Sequence, residues 1–155
     1  MGSVIVGVDE AGRGPLIGDL FMAVAIDKAY EALLSSSGVK DSKKLSRDKR
    51  EKLFKIVISV AELTAVKRIT PDMIDKENIN KLETESLCKL LTTISSKVGN
   101  IDSIYIDAFS NPEKLLLAVK KCLGSTHDIS IVIEYNADSR YVVVGAASII
   151  AKVLR

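Results

Sequence analysis

"SVIVGVDEAGRGPLIGDLFMAVAID", residues 3–27, places two apolar, partly β-branched runs on either side of a glycine-rich segment. Runs of that length and composition read as core strands, and the short turn-rich connection makes the second the antiparallel neighbour of the first. Asp9 and Glu10 stand where the first run ends. A buried strand that delivers two adjacent carboxylates to its end poses a solvation problem, because charge taken out of water is costly unless cations or basic groups meet it.

Working outward, "SRDKREKLFKIVISV" (46–60) predicts a helix opened by Ser46 as its capping side chain, and "AELTAVKRI" (61–69) alternates as a strand does. Thr70 with Pro71, Asn80 with Glu83, and Asn111 with Pro112 each have the form of a helix start. Leu87, Leu90, Leu91, Ile94 and Val98 fall on one helical face. "SIYIDAF" (103–109) and "ISIVIEY" (129–135) read as further core strands, with helical "PEKLLLAVKKCLG" (112–124) between them. In "VVVGAASIIAKVLR" (142–155) the small residues from Ala146 onward suit a helix packed closely on a sheet, and nothing there ends it. The chain is therefore expected to stop inside a helix, as a C-terminally truncated piece of a longer protein. Strands interleaved with helices indicate an α/β sheet, and the absence of repeats or linkers predicts a single domain over 1–155.

At 155 residues, 47% hydrophobic and 27% charged, the chain can bury a real core. It contains no run of eighteen apolar residues and no basic, apolar leader, so an unexported, cytoplasmic protein with no membrane partner is expected. Cys88 and Cys122 fall on apolar-periodic stretches without metal spacing and read as reduced core residues. A net charge of +2 is too small to identify a nucleic-acid binder, so any basic footprint must be local. Lys40, Lys43, Lys44, Arg47, Lys49, Arg50, Lys52 and Lys55 against Asp41, Asp48 and Glu51 make such a footprint. A solvated helix face accounts for its later part equally well.

Besides Asp9 and Glu10, Asp107 follows "SIYI" and Asp138 lies just past "ISIVIEY". Any one of these acids alone reads as a turn cap. Together, at or beyond the ends of core strands, they could converge on one sheet edge, where Mg²⁺ is a suitable counter-ion: hard, octahedral, and bound by one or two carboxylates plus water and phosphate oxygens. Two such ions about 4 Å apart support phosphodiester cleavage. "GRGPLIG" (12–18) has neither the spacing of a dinucleotide fingerprint nor the ending of a phosphate-binding loop. It reads as a turn whose backbone can approach a ligand closely, with Arg13 able to offer a forked donor to phosphate.

Taken together, "GVDEAGRGPLIGDL", "VKDSKKLS", "YIDAF" and "NADSRYVVVGAASIIAKVLR" resemble ribonuclease HII in its archaeal style, with the motifs in that family's order. The resemblance implies an RNase H-like fold, a mixed five-stranded sheet flanked by helices. It implies an endoribonuclease that cuts the RNA strand of RNA/DNA hybrids and incises at ribonucleotides embedded in duplex DNA, leaving 3′-hydroxyl and 5′-phosphate ends. By resemblance, Asp9, Glu10, Asp107 and Asp138 hold two divalent ions, Mg²⁺ or Mn²⁺. Gly12, Arg13 and Gly14 match the motif that reads the ribose 2′-hydroxyl, the group that separates RNA from DNA. Lys43, Lys44, Ser148 and Lys152 occupy positions expected to contact the nucleic-acid backbone, and a monomer is expected. His127 matches no motif and reads as a loop residue. Complete members continue the last helix into further helices carrying a substrate-recognising tyrosine, and none of Tyr30, Tyr105, Tyr135 or Tyr141 lies in that motif. The alternative is a catalytically impaired fragment that binds RNA/DNA without cutting it.

Overall fold

In the computed structural model, which describes residues 3–12, 19–70, 72–73, 78–124 and 128–154, the two opening runs become strands β1 (Val4–Gly12) and β2 (Asp19–Asp27). They pair antiparallel, Val4 opposite Asp27 and Gly12 opposite Asp19. Strand β3 (Ala61–Ile69) pairs antiparallel with β2, whereas β4 (Ile101–Asp107) runs parallel to β1 and β5 (Ser130–Glu134) parallel to β4. The order β3-β2-β1-β4-β5 is the mixed five-stranded sheet that was expected.

Five α-helices among the described residues complete the fold: α1 (Glu31–Ser37), α2 (Arg47–Val60), α3 (Ile79–Lys97), α4 (Pro112–Leu123) and α5 (Val142–Leu154). Side chains alternate across a strand, and β1 shows what this does. Ile5 joins Leu20, Met22, Val24 and Ile26 in a core closed by α1, α2 and α5. Val4, Val6 and Val8 join Phe21, Ala23 and Ala25 in a second core closed by α3 and α4. Each such aliphatic side chain taken from water contributes about 1.5–3 kcal/mol, and β1 is buried on both faces for this reason.

α5 fits this layer because it is small and apolar on every side: Val142 to Ala151 are all buried. It begins at Val142, four residues before the Ala146 start read from composition, directly after a 3₁₀ turn at Ala137–Ser139. Its backbone lies against Gly7 so closely that a Cβ there would stand 2.3 Å from the Val143 carbonyl oxygen. A glycine in mid-strand is otherwise unfavourable, and here it is what admits the helix.

The capping side chains are mostly where the sequence puts them. Ser46 Oγ accepts from Lys49 N at 3.3 Å, and Asn111 Oδ1 accepts from Lys114 N at 3.1 Å with Pro112 opening α4. α3 is a correction. Its cap is Asn78, whose Oδ1 accepts from Asn80 N at 2.9 Å and Lys81 N at 3.3 Å, so Asn80 sits inside the first turn. The Thr70–Pro71 start runs into Pro71, outside the described residues. Both cysteines are free thiols, but they are half-buried rather than sealed in the core.

Candidate active site

β1, β4 and β5 run in one direction, so their carboxyl ends open on the same sheet edge. Val8 is level with Ile106 in the β1–β4 register, which makes the next residues, Asp9 and Asp107, neighbours on the α5 face. The Asp9 carboxyl is acted on by the Asp107 carboxyl, which raises its pKa, and by the Ser148 hydroxyl of α5, which lowers it. The Ala137–Ser139 turn after β5 brings in Asp138, which is buried with 4% exposure. Asp107 Oδ1 accepts from Ala137 N at 3.4 Å, tying that turn to the end of β4. Alternation sends Glu10 to the other side of β1, where it lines a cleft of about 470 Å³ with Asp9, Asp107, Tyr135, Asn136 and Glu83. Glu83, on α3 and buried, is an acid of this cleft that sequence reading assigned only to a helix start.

Burial, then the hydrogen bond and charge of Asp107, then the charge of Asp138, push Asp9 up to about 8 from 3.8. Asp138 Oδ2 lies 3.6 Å from Lys43 Nζ, while its Oδ1 is buried with no hydrogen-bond partner among the described residues. Among those residues no three Asp, Glu, His or Cys side chains stand at ready-made ligand spacing. A carboxyl whose pKa is raised by burial and then by its acidic neighbours, together with an orphaned carboxylate oxygen, is what a hard divalent cation would satisfy, and the donor set is all oxygen. Asp9, Glu10, Asp107 and Asp138 are the residues that could hold it.

This geometry predicts how stability depends on pH. With the folded Asp9 pKa near 8 and its ordinary value 3.8, the folded chain binds the extra proton. The contribution is complete below about pH 4 and is lost as pH rises through about 8. Asp9→Asn is expected to flatten that slope in EDTA and to raise Tm at pH 8 and above, by about 2–4 °C for each kcal/mol relieved. Thermal melts from pH 5 to 9 check it, and parallel curves for the two proteins would contradict it.

The turn carrying Asp138 is strapped at its base. The Glu134 carboxylate accepts from Tyr141 OH at 2.6 Å and from the Arg140 guanidinium, and the Glu134 carbonyl accepts from Ala108 N at 2.9 Å. Tyr141 stacks on Tyr105 with ring centroids 4.6 Å apart. The Tyr141 bond holds the Glu134 carboxyl below its ordinary range and the phenol above its own. Within the turn Asn136 takes a left-handed conformation, φ 59°, one that asparagine tolerates better than most side chains.

Cations border the acids on the α2 side. Lys43 and Lys44 end a 3₁₀ turn at Val39–Lys44. Arg47, Arg50, Glu51, Lys152 and Val153 line a second cleft of about 360 Å³. The Arg50 Nε is buried there without a hydrogen-bond partner among the described residues. Burial lowers the pKa of Lys152, and Asp138 and Asp9 pull against that shift. Ser148 is 2% exposed and lies near enough to Asp9 to lower the pKa of that carboxyl. Gly12 ends β1, while Arg13, Gly14 and His127 lie outside the described residues.

The family model described as ribonuclease HII matches residues 6–155. The chain belongs to the ribonuclease HII family. A ribonuclease HII from Methanococcus maripaludis strain C6 is 42% identical over 99% of this chain, and one from Aeropyrum pernix is 44% identical over 98%. The chain spans 66% and 67% of those relatives, about two thirds of their length. The ribonuclease H2 crystal structure from Pyrococcus horikoshii superposes with a TM-score of 0.81 at 38% identity, covering 98% of this chain and 72% of that one. Membership of the ribonuclease HII family agrees with the sheet order and with the α/β expectation. No helix among the described residues is long and apolar enough to cross a membrane.

Proposed function

We propose that this chain is the catalytic part of a metal-dependent endoribonuclease that hydrolyses the RNA strand of RNA/DNA hybrids and incises at ribonucleotides in duplex DNA. The observation that carries the reading is the meeting of Asp9, Asp107 and Asp138 from three separate segments, with Asp138 Oδ1 buried and unpartnered among the described residues. Family membership supports the same chemistry.

Asp9, Glu10, Asp107 and Asp138 would hold two divalent cations, Mg²⁺ or Mn²⁺. Bound there, such cations supply Lewis-acid stabilisation of charge on the scissile phosphate and on the departing 3′-oxygen. The protein's own groups do the rest. Lys43 reaches the acidic site on one side, and Arg47, Arg50 and Lys152 form a cationic floor beside it, along which a polyanionic backbone is held. When nucleic acid and cations occupy the site, the Lys43 ammonium is free to leave Asp138 for a phosphate, because that ion pair is exposed on the lysine side. Gly12, Arg13 and Gly14 read the 2′-hydroxyl, Lys44 takes a neighbouring phosphate, and Ser148 orients the Asp9 carboxyl. Water attacks the phosphorus, and the 3′-oxygen leaves, giving 5′-phosphate and 3′-hydroxyl ends.

The test is cleavage of one labelled sequence presented as RNA/DNA hybrid, DNA duplex and RNA duplex, each in Mg²⁺, Mn²⁺ and EDTA. Only the hybrid is expected to be cut, and only with a cation. Salt-sensitive hybrid binding without cleavage in either metal would instead identify a binding fragment whose activity needs residues beyond these.

A further inference from the structure

On the sheet face opposite α5, helices α3 and α4 pack against each other and bring together the two cysteines. Cys88 Sγ, on α3, lies 3.7 Å from the Ala118 carbonyl, and Cys122 Sγ, in the last turn of α4, lies 3.4 Å from that of Val119. The sulfurs therefore sit over consecutive carbonyls of one helical turn, close enough for the Cys122 thiol to act on that of Cys88. Both residues are half-buried free thiols, and neither belongs to the acidic site. Cys88 also lines a groove of about 490 Å³ with Ala65, Lys67, Lys89 and Thr92, which gives a small oxidant a route to that thiol.

We propose that Cys88 and Cys122 are an oxidative modification site, a dithiol that a hydroperoxide converts reversibly to a disulfide stapling α3 to α4. One thiol is oxidised by the peroxide to a sulfenic acid with release of one water. The second sulfur then attacks it, the S–S bond forms, and the hydroxyl leaves as a second water. Two thiols and one hydrogen peroxide thus give one disulfide and two waters. Burial, and then the hydrogen bond to Cys122, push the Cys88 thiol up to about 12, so the closure runs over minutes to hours rather than seconds. The staple would join α3, which carries Glu83 of the acidic cleft, to α4, the helix that follows β4 and Asp107.

The experiment incubates the whole folded chain with graded hydrogen peroxide and follows intact mass, iodoacetamide-reactive thiols and a non-reducing peptide map. The expected result is the loss of two hydrogens, disappearance of both thiols in step, a Cys88–Cys122 cross-linked peptide that dithiothreitol removes, and a rise in Tm of about 5–10 °C. Cys88→Ser is expected to leave Cys122 oxidising to sulfenic and higher acids without a cross-link. Thiols that oxidise independently in the unaltered chain, or that remain alkylatable throughout, would overturn the proposal. Neither result depends on nuclease activity.

Discussion

Asp107→Asn is expected to reduce cleavage of an RNA/DNA hybrid by about a thousandfold or more, equivalent to about 4 kcal/mol of barrier. Asparagine keeps the oxygen that accepts from Ala137 N, and with it the tie between β4 and the Asp138 turn. What it loses is the charge that stands between Asp9 and Asp138. Substrate affinity should change little, because Lys43, Arg50 and Lys152 are untouched, so the loss should fall on kcat rather than KM. In EDTA the variant should melt at or above the temperature of the unaltered chain, since removing one of several crowded carboxylates relieves repulsion. Single-turnover cleavage together with thermal melting separates the two effects. Cleavage within tenfold of the unaltered chain would remove Asp107 from the catalytic set.

Gly7→Ala is expected to destabilise the fold by about 3 kcal/mol or more, or to prevent folding altogether. The added Cβ would stand 2.3 Å from the carbonyl oxygen of Val143, 2.4 Å from its carbon and 2.7 Å from Val144 N. All three are backbone atoms of α5, so no side-chain rotation relieves the clash. The helix must move, and it carries Ser148 and Lys152 with it. Gly99→Ala is the control, since a Cβ there meets nothing within 4 Å; a change of no more than about 0.5 kcal/mol is expected. Urea unfolding of both variants tests the pair, and equal midpoints would show that β1 and α5 are not in contact as described.

Features set by local pattern were legible in the sequence. The strand runs, the Ser46 and Asn111 caps and the length of α4 follow from residue spacing and turn chemistry alone, and all are found. Where two capping side chains stand close together, as Asn78 and Asn80 do, propensity cannot choose between them, and the first was missed. The acids were legible for a topological reason: Asp9 and Glu10 lie near the end of β1, Asp107 ends β4 and Asp138 lies just past β5, and parallel strands deliver their carboxyl ends to one edge. Tertiary packing alone settles the rest. Glu83 reads as a first-turn acid until α3 is laid against the sheet, and the place of Ser148 beside Asp9 follows only once α5 is packed on β1. The cysteine contact is likewise invisible along the chain, because it depends on how α3 and α4 pack.

These acids are proposed to support metal-dependent hydrolysis at a ribonucleotide. The most direct test is a labelled DNA duplex containing one ribonucleotide, incubated with the folded chain in Mg²⁺, in Mn²⁺ and in EDTA, with the product ends mapped. Incision is expected on the 5′ side of the ribonucleotide, with 3′-hydroxyl and 5′-phosphate ends, only when a cation is present. An uncut duplex in both metals, with the chain bound to it and folded, or incision that persists in EDTA, would contradict it.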